Sequence, residues 1–104
     1  MSAHENLLTA IEDIFSSKGR VRIIKTLSEV GELNISEIAR RVELNYTTTN
    51  QHLHALKEAG LVQEKKFGRI RIFRFKYEYP RAQAIKDLID FWETDKPVDI
   101  KSKI

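Results

Sequence analysis

The sequence predicts a mostly α fold with one small β-hairpin, on three observations. Apolar residues recur at helical spacing through most of the chain. The period then changes to that of strands between Leu61 and Tyr77, around a single Gly68. Finally, a short helical pattern is followed by a tight turn, a longer helix and the hairpin, and the hairpin is basic. That order is the one of a winged helix-turn-helix, α1-α2-β-α3-α4-β-β-α5.

The elements follow in chain order. Leu7, Leu8, Ile11, Ile14 and Phe15 mark a first amphipathic helix, which Ser16 to Gly19 break. Val21, Ile23, Ile24, Leu27 and Val30 carry a second helix, closed by Gly31. Leu33 and Ile35 form a short extended link with one or two residues of strand. Ser36 is the expected N-cap of a third helix, with Glu37 in its first turn and Ile38, Ala39 and Val42 on its buried side. Leu44 and Asn45 make a tight turn, and Asn45 caps a fourth helix over 46–59 that ends at Gly60. The hairpin, a two-stranded wing over 61–78, follows, and a slip of apolar parity between Ile72 and Phe73 predicts a bulge or a change of face there. Pro80 opens a last helix whose buried stripe is Ile85, Leu88, Ile89 and Trp92. Residues 1–94 form one domain and 95–104 a polar tail.

Composition narrows the function. The chain has 104 residues, a net charge of +3 and no cysteine. Without cysteine, a disulfide scaffold, a zinc knuckle and a thiol nucleophile are all excluded. No apolar run approaches the roughly 18 residues of a membrane-spanning helix. Met1 to Asn6 show no export signal, so an intracellular, cytoplasmic location is expected. There is no glycine-rich phosphate loop and no paired carboxylates in apolar surroundings, so no enzyme is expected, and no cofactor. The positive excess is concentrated. Between 61 and 81, Lys65, Lys66, Arg69, Arg71, Arg74, Lys76 and Arg81 face only Glu64 and Glu78. Such a cluster suits phosphate binding, or is simply a solvated hairpin.

The fourth helix carries the sharper signal. Thr49, His52, Leu53 and Leu56 share one side, and Thr47, Asn50, Gln51 and His54 the opposite one. Exposed helix faces usually carry Lys and Glu. Here they carry hydroxyls and amides, which are mediocre helix formers but versatile hydrogen-bonding groups. Asn and Gln can bond adenine bidentately, and Thr can meet thymine. Thr47, Asn50, Gln51 and His54 are therefore candidates for base contacts. Arg40, Arg41, Tyr46, Thr48, Lys65, Lys66, Arg69 and Arg71 are candidates for the DNA backbone or minor groove. Arg69 leads the wing-tip set, because narrow A·T tracts attract Arg. His52 is read as a core-edge residue bonded to backbone, and Phe67, Phe73, Phe75 and Tyr77 as hairpin packing onto the helices. Leu7, Leu8, Ile11, Leu88, Phe91 and Trp92 exceed what one small core needs and are expected in a homodimer interface.

The segments RVRIIKTL from Arg20, ELNISEIARRVELNYTTTNQHLHALKEAGLV from Glu32, and GRIRIFRF from Gly68 resemble the ArsR-type winged-helix repressors and the wider MarR-like group. The resemblance spans Ser17 to Tyr77, and HLxxLxxAGLV from His52 is its most specific part. It implies a dimeric DNA-binding transcriptional regulator, with the fourth helix in the major groove and the first and last helices at the dimer surface. One departure stands out. Metal-sensing members of the family place C-x-C where this chain has Asn34 and Ser36. Others use Asp, His and Glu of the last helix, which here offers Asp87, Asp90 and Glu93 but no histidine. Neither metal site is expected, and the effector is unassigned. The competing function is a winged helix that docks proteins, its basic wing incidental.

Overall fold

The computed structural model describes residues 9–94. The elements are α1 (Ile11–Ile14), α2 (Lys18–Val30), β1 (Glu32–Asn34), α3 (Ile35–Val42), α4 (Tyr46–Glu58), β2 (Val62–Phe67), β3 (Ile70–Phe75) and α5 (Pro80–Thr94). Leu7, Leu8 and the tail 95–104 lie outside the described residues.

Local chemistry sets the helix ends. Ser17 caps α2 by accepting a hydrogen bond from the Arg20 N–H at 3.1 Å. The expected break is therefore shorter, and Lys18 and Gly19 already belong to α2. A Cβ on Gly19 would meet Leu44 Cδ1 at 2.9 Å and His52 Nε2 at 3.3 Å. The bare backbone lets this turn approach α4 closely. Gly31 closes α2 as expected, with φ at 98°.

Ser36 is not the cap of α3. Asn34 takes that place, its Oδ1 accepting from the Glu37 N–H at 2.8 Å. The helix starts one residue beyond β1, so Ser36 already lies in its first turn. Between α3 and α4 the chain reverses in three residues. Glu43 adopts a left-handed conformation, Leu44 N–H bonds the Ala39 carbonyl at 3.1 Å, and Asn45 Oδ1 caps α4 through the Thr48 N–H at 2.7 Å.

The strands form a three-stranded antiparallel sheet in the order β1-β3-β2. The two-stranded wing, β2 and β3, is as expected. The one or two residues of strand expected at the link are the three of β1, Glu32–Asn34, with Ile35 already in α3. That short strand pairs Leu33 with Phe73, satisfying the second edge of β3. There is no bulge at Ile72 and Phe73, because pairing runs without interruption from Val62–Phe75 to Phe67–Ile70. The slip is the change of face: Ile70 and Ile72 keep to the outer face, while Phe73 and Phe75 point inward and are buried. They meet Ile23, Ile24, Leu27, Ile38, Leu53 and Leu56 in one core. Tyr77 donates its hydroxyl proton to the Ser28 carbonyl at 2.7 Å.

The last helix departs from its predicted stripe. Ala82 and Ile89 are buried and Ile85 is half-buried, but Leu88 is 50% and Trp92 73% exposed. A 2.5 Å ion pair between Lys25 and Glu93 ties α5 to α2, and one apolar edge of the helix is left outward.

Candidate nucleic-acid interface

The two-sided reading of α4 holds. Thr49, Leu53 and Leu56 are buried, and the Thr49 hydroxyl donates to the Asn45 carbonyl at 2.8 Å. Thr47, Gln51 and His54 are exposed and Asn50 is half-buried, all on the outer side. Thr48 is half-buried, and its N–H is the one held by the Asn45 cap.

His52 is bonded to a side chain rather than to backbone. Its Nδ1 accepts from Arg20 Nε–H at 3.1 Å, and the same guanidinium donates to the Asp13 carbonyl at 2.6 Å. The close approach at Gly19 brings that guanidinium within reach. Burial, then the Arg20 charge, lowers the His52 pKa and keeps the imidazole an acceptor. One arginine thereby joins the residues just inside α1 to the inner side of α4.

The wing divides into a free tip and a tied base. Gly68 turns the chain at φ 61°. Lys66 and Arg69 beside it have no hydrogen-bond or ion-pair partner among the described residues. Lys65 reaches Glu32 at 3.0 Å. Arg71, expected at the tip, points back to the helices. Its Nε–H donates to Glu64 Oε2 at 2.7 Å and its Nη1–H to the Tyr46 hydroxyl at 3.0 Å, with the guanidinium over the Phe73 ring. Strand alternation explains this, since Arg71 shares the inner face with Glu64 and Phe73. Phe67, by contrast, does not pack onto the helices but is 60% exposed near the tip.

Glu64 was not foreseen as part of the site. Its side chain is only 7% exposed, and Lys57 reaches its other oxygen at 3.2 Å. The hydrogen bond from Arg71, reinforced by Lys57, lowers its pKa to about 2. Glu64, Arg71 and Tyr46 thus brace the wing against the first turn of α4. On α3, Arg40 and Arg41 both pair with Glu37, whose pKa falls to about 2 through Arg40 first and Arg41 second. Arg40 nonetheless stays 70% exposed.

This brace has a measurable consequence. A carboxylate with a lowered folded pKa contributes stability that is full above its unfolded value, near 4.5, and is lost as pH falls toward 2. Arg71→Ala should lower stability by about 1–2 kcal/mol at pH 7, less than for a fully buried pair because Lys57 remains. Glu64 should then titrate higher, so its contribution is lost at higher pH than in the wild type. Urea unfolding at pH 7 and pH 4 checks this. Identical curves for variant and wild type at both values would contradict the brace.

The residues do not fit a soft metal ion. Asn34 spends its oxygen on the α3 cap, and the chain has no thiolate. Asp87 accepts from Gln83, Asp90 from Lys86, and Glu93 pairs with Lys25. Among the described residues no three potential ligands converge.

An N-capped α3, a three-residue turn, an amide-rich α4 and a basic hairpin together define a winged helix-turn-helix. Residues 17–64 match the family described as bacterial regulatory protein, arsR family. The chain is 33% identical over 57 residues to the cadmium resistance transcriptional regulatory protein CadC of Listeria innocua, covering 55% of this chain and 48% of CadC. The chain therefore spans about half the length of that relative. It is 28% identical over 83 residues to the arsenical resistance operon repressor of Escherichia coli, covering 80% and 70% of the two chains. The fold matches that of a homodimeric winged helix-turn-helix DNA-binding domain from Mycobacterium bovis at a TM-score of 0.65 and 24% identity, covering 80% and 74%.

Proposed function

We propose that this chain is a homodimeric, sequence-specific DNA-binding regulator of transcription rather than an enzyme, working in the cytoplasm. The observation that carries this reading is the joining of α4 to the wing. An exposed row of hydroxyl and amide groups on α4 is held by Tyr46 and Arg71 beside a hairpin whose tip cations are unpaired. In this reading Thr47, Asn50, Gln51 and His54 meet base edges in the major groove. Lys65, Lys66 and Arg69, with Arg40, Arg41 and Thr48, meet the backbone or minor groove. Arg71 is a positioning residue. Tyr46 accepts from Arg71 through its oxygen, which leaves the hydroxyl proton for a phosphate.

The dimer contact is the apolar edge of α5 together with Ile11 of α1. Ile11, Leu88, Phe91 and Trp92 are 50% exposed or more, an unusual grouping for a monomer of this size. Two-fold symmetry requires an operator of inverted half-sites about one helical turn apart. Enrichment of duplexes from a random pool should return such inverted repeats, and sedimentation equilibrium at micromolar concentration should show twice the 12.1 kDa chain mass. Recovery of no preferred sequence, or a monomer alone, would contradict the proposal.

A further inference from the structure

The wing tip carries an apolar pair that reading bases and binding phosphates does not use. Phe67 and Ile70 are cross-strand partners on either side of Gly68 and Arg69. They are 60% and 55% exposed, on the outer face away from Arg71 and the core. Ile72, half-buried, extends this face toward the base of the hairpin. A hairpin that merely turned in water would place polar groups here. An exposed phenyl ring beside isoleucine at a projecting tip leaves apolar area in contact with solvent.

The surroundings define the partner. From 65 to 77 the chain has Lys65, Lys66, Arg69, Arg71, Arg74 and Lys76 and no acidic residue. Lys66 and Arg69, immediately beside the apolar pair, have no partner among the described residues. Apolar groups with two unpaired cations next to them in a basic hairpin are complementary to a polyanion that also has apolar interior surface. Duplex DNA is such a partner, with phosphates along the groove rims and base stacks between them. Apolar side chains inserted from the minor groove partly unstack a base step and bend the duplex.

We infer that Phe67, supported by Ile70, enters the minor groove as a wedge and opens a base step, with Lys66 and Arg69 on the flanking phosphates. The inference rests on the DNA-binding reading above and adds a source of specificity to it. Pyrimidine–purine steps such as TA unstack most easily, so the wing selects such a step without hydrogen-bonding a base.

The test uses the full chain and duplexes enriched by the wild type from a random pool, with 2-aminopurine placed in turn along the segments flanking each half-site. Wild-type binding should raise emission several-fold at one step per half-site. Phe67→Ala should abolish that rise and remove a roughly ten-fold preference for TA over AA at the step, while the salt dependence of binding stays unchanged. Phe67→Leu should restore part of both. Because the ring is exposed, the variants should melt like the wild type. An equal rise with Phe67→Ala, or no rise when the wild type is bound, overturns the wedge while leaving DNA binding intact. A Phe67→Ala change confined to sedimentation behaviour also overturns it, marking the pair as a contact between copies. Absence of any salt-dependent DNA affinity in the wild type would instead overturn the DNA-binding reading, and the wedge with it.

Discussion

Asn50→Ala and Gln51→Ala should each cost about 1–3 kcal/mol per lost base contact on the enriched operator and almost nothing on a scrambled duplex. Both side chains are uncharged, so neither change alters the phosphate contacts that give non-specific affinity. Both lie on the outer side of α4, and neither has a side-chain hydrogen bond among the described residues. Folding stability should therefore shift little. In a dimer each contact is made at both half-sites, so the gap between operator and random DNA should narrow by one to several orders of magnitude. Competition between the two duplexes, followed by anisotropy, reads the effect. Equal losses on both duplexes would make these side chains backbone contacts and shift specificity to DNA shape.

The second large effect belongs to the wing tip. A dimer making roughly 6–8 phosphate contacts should give a log–log salt slope near −5 to −7. Lys66→Ala with Arg69→Ala removes up to four of them per dimer, which should flatten the slope by about 3–4 and weaken binding to every sequence alike. Arg71 is not part of this set, because its guanidinium is already committed to Glu64 and Tyr46. Arg71→Ala should change the slope less than its charge suggests, and should act through wing placement. An unchanged slope in the Lys66, Arg69 double variant would move the phosphate contacts off the wing.

The contrast between Arg69 and Arg71 shows where the sequence was legible. Element order, the Gly31 and Asn45 caps, the turn at Gly68 and the two sides of α4 all follow from spacing and residue type, which are local properties. Asn34 could have been read as well. Asn34 followed by Glu37 three positions later is a helix-start pattern, and Ser36 obscured it. Other features depend on contacts between distant segments. Arg71 looks like any other wing cation until pairing register sets it beside Glu64 and strand orientation brings both to Tyr46. Nothing near His52 in the chain announces Arg20, which meets it only because Gly19 lets two helices come close. The short strand at Leu33 was legible but its pairing with β3 was not, since three residues carry little periodicity and their partner lies some forty positions away. On α5, periodicity marked an apolar face correctly but could not divide it between the core and the outward edge formed by Leu88 and Trp92.

The central claim is that α4 lies in the major groove while the wing tip lies in the adjacent minor groove. The absence of cysteine allows a direct test. Gln51→Cys and Arg69→Cys each provide a single attachment point for an iron–EDTA cleavage reagent, used on the enriched operator. From position 51 the cuts on the two strands should bracket the major groove of each half-site, and recur about one helical turn apart. From position 69 they should bracket the neighbouring minor groove. Localised cuts from 69 with none from 51, or diffuse cutting from both while the protein is bound, would contradict the placement of α4.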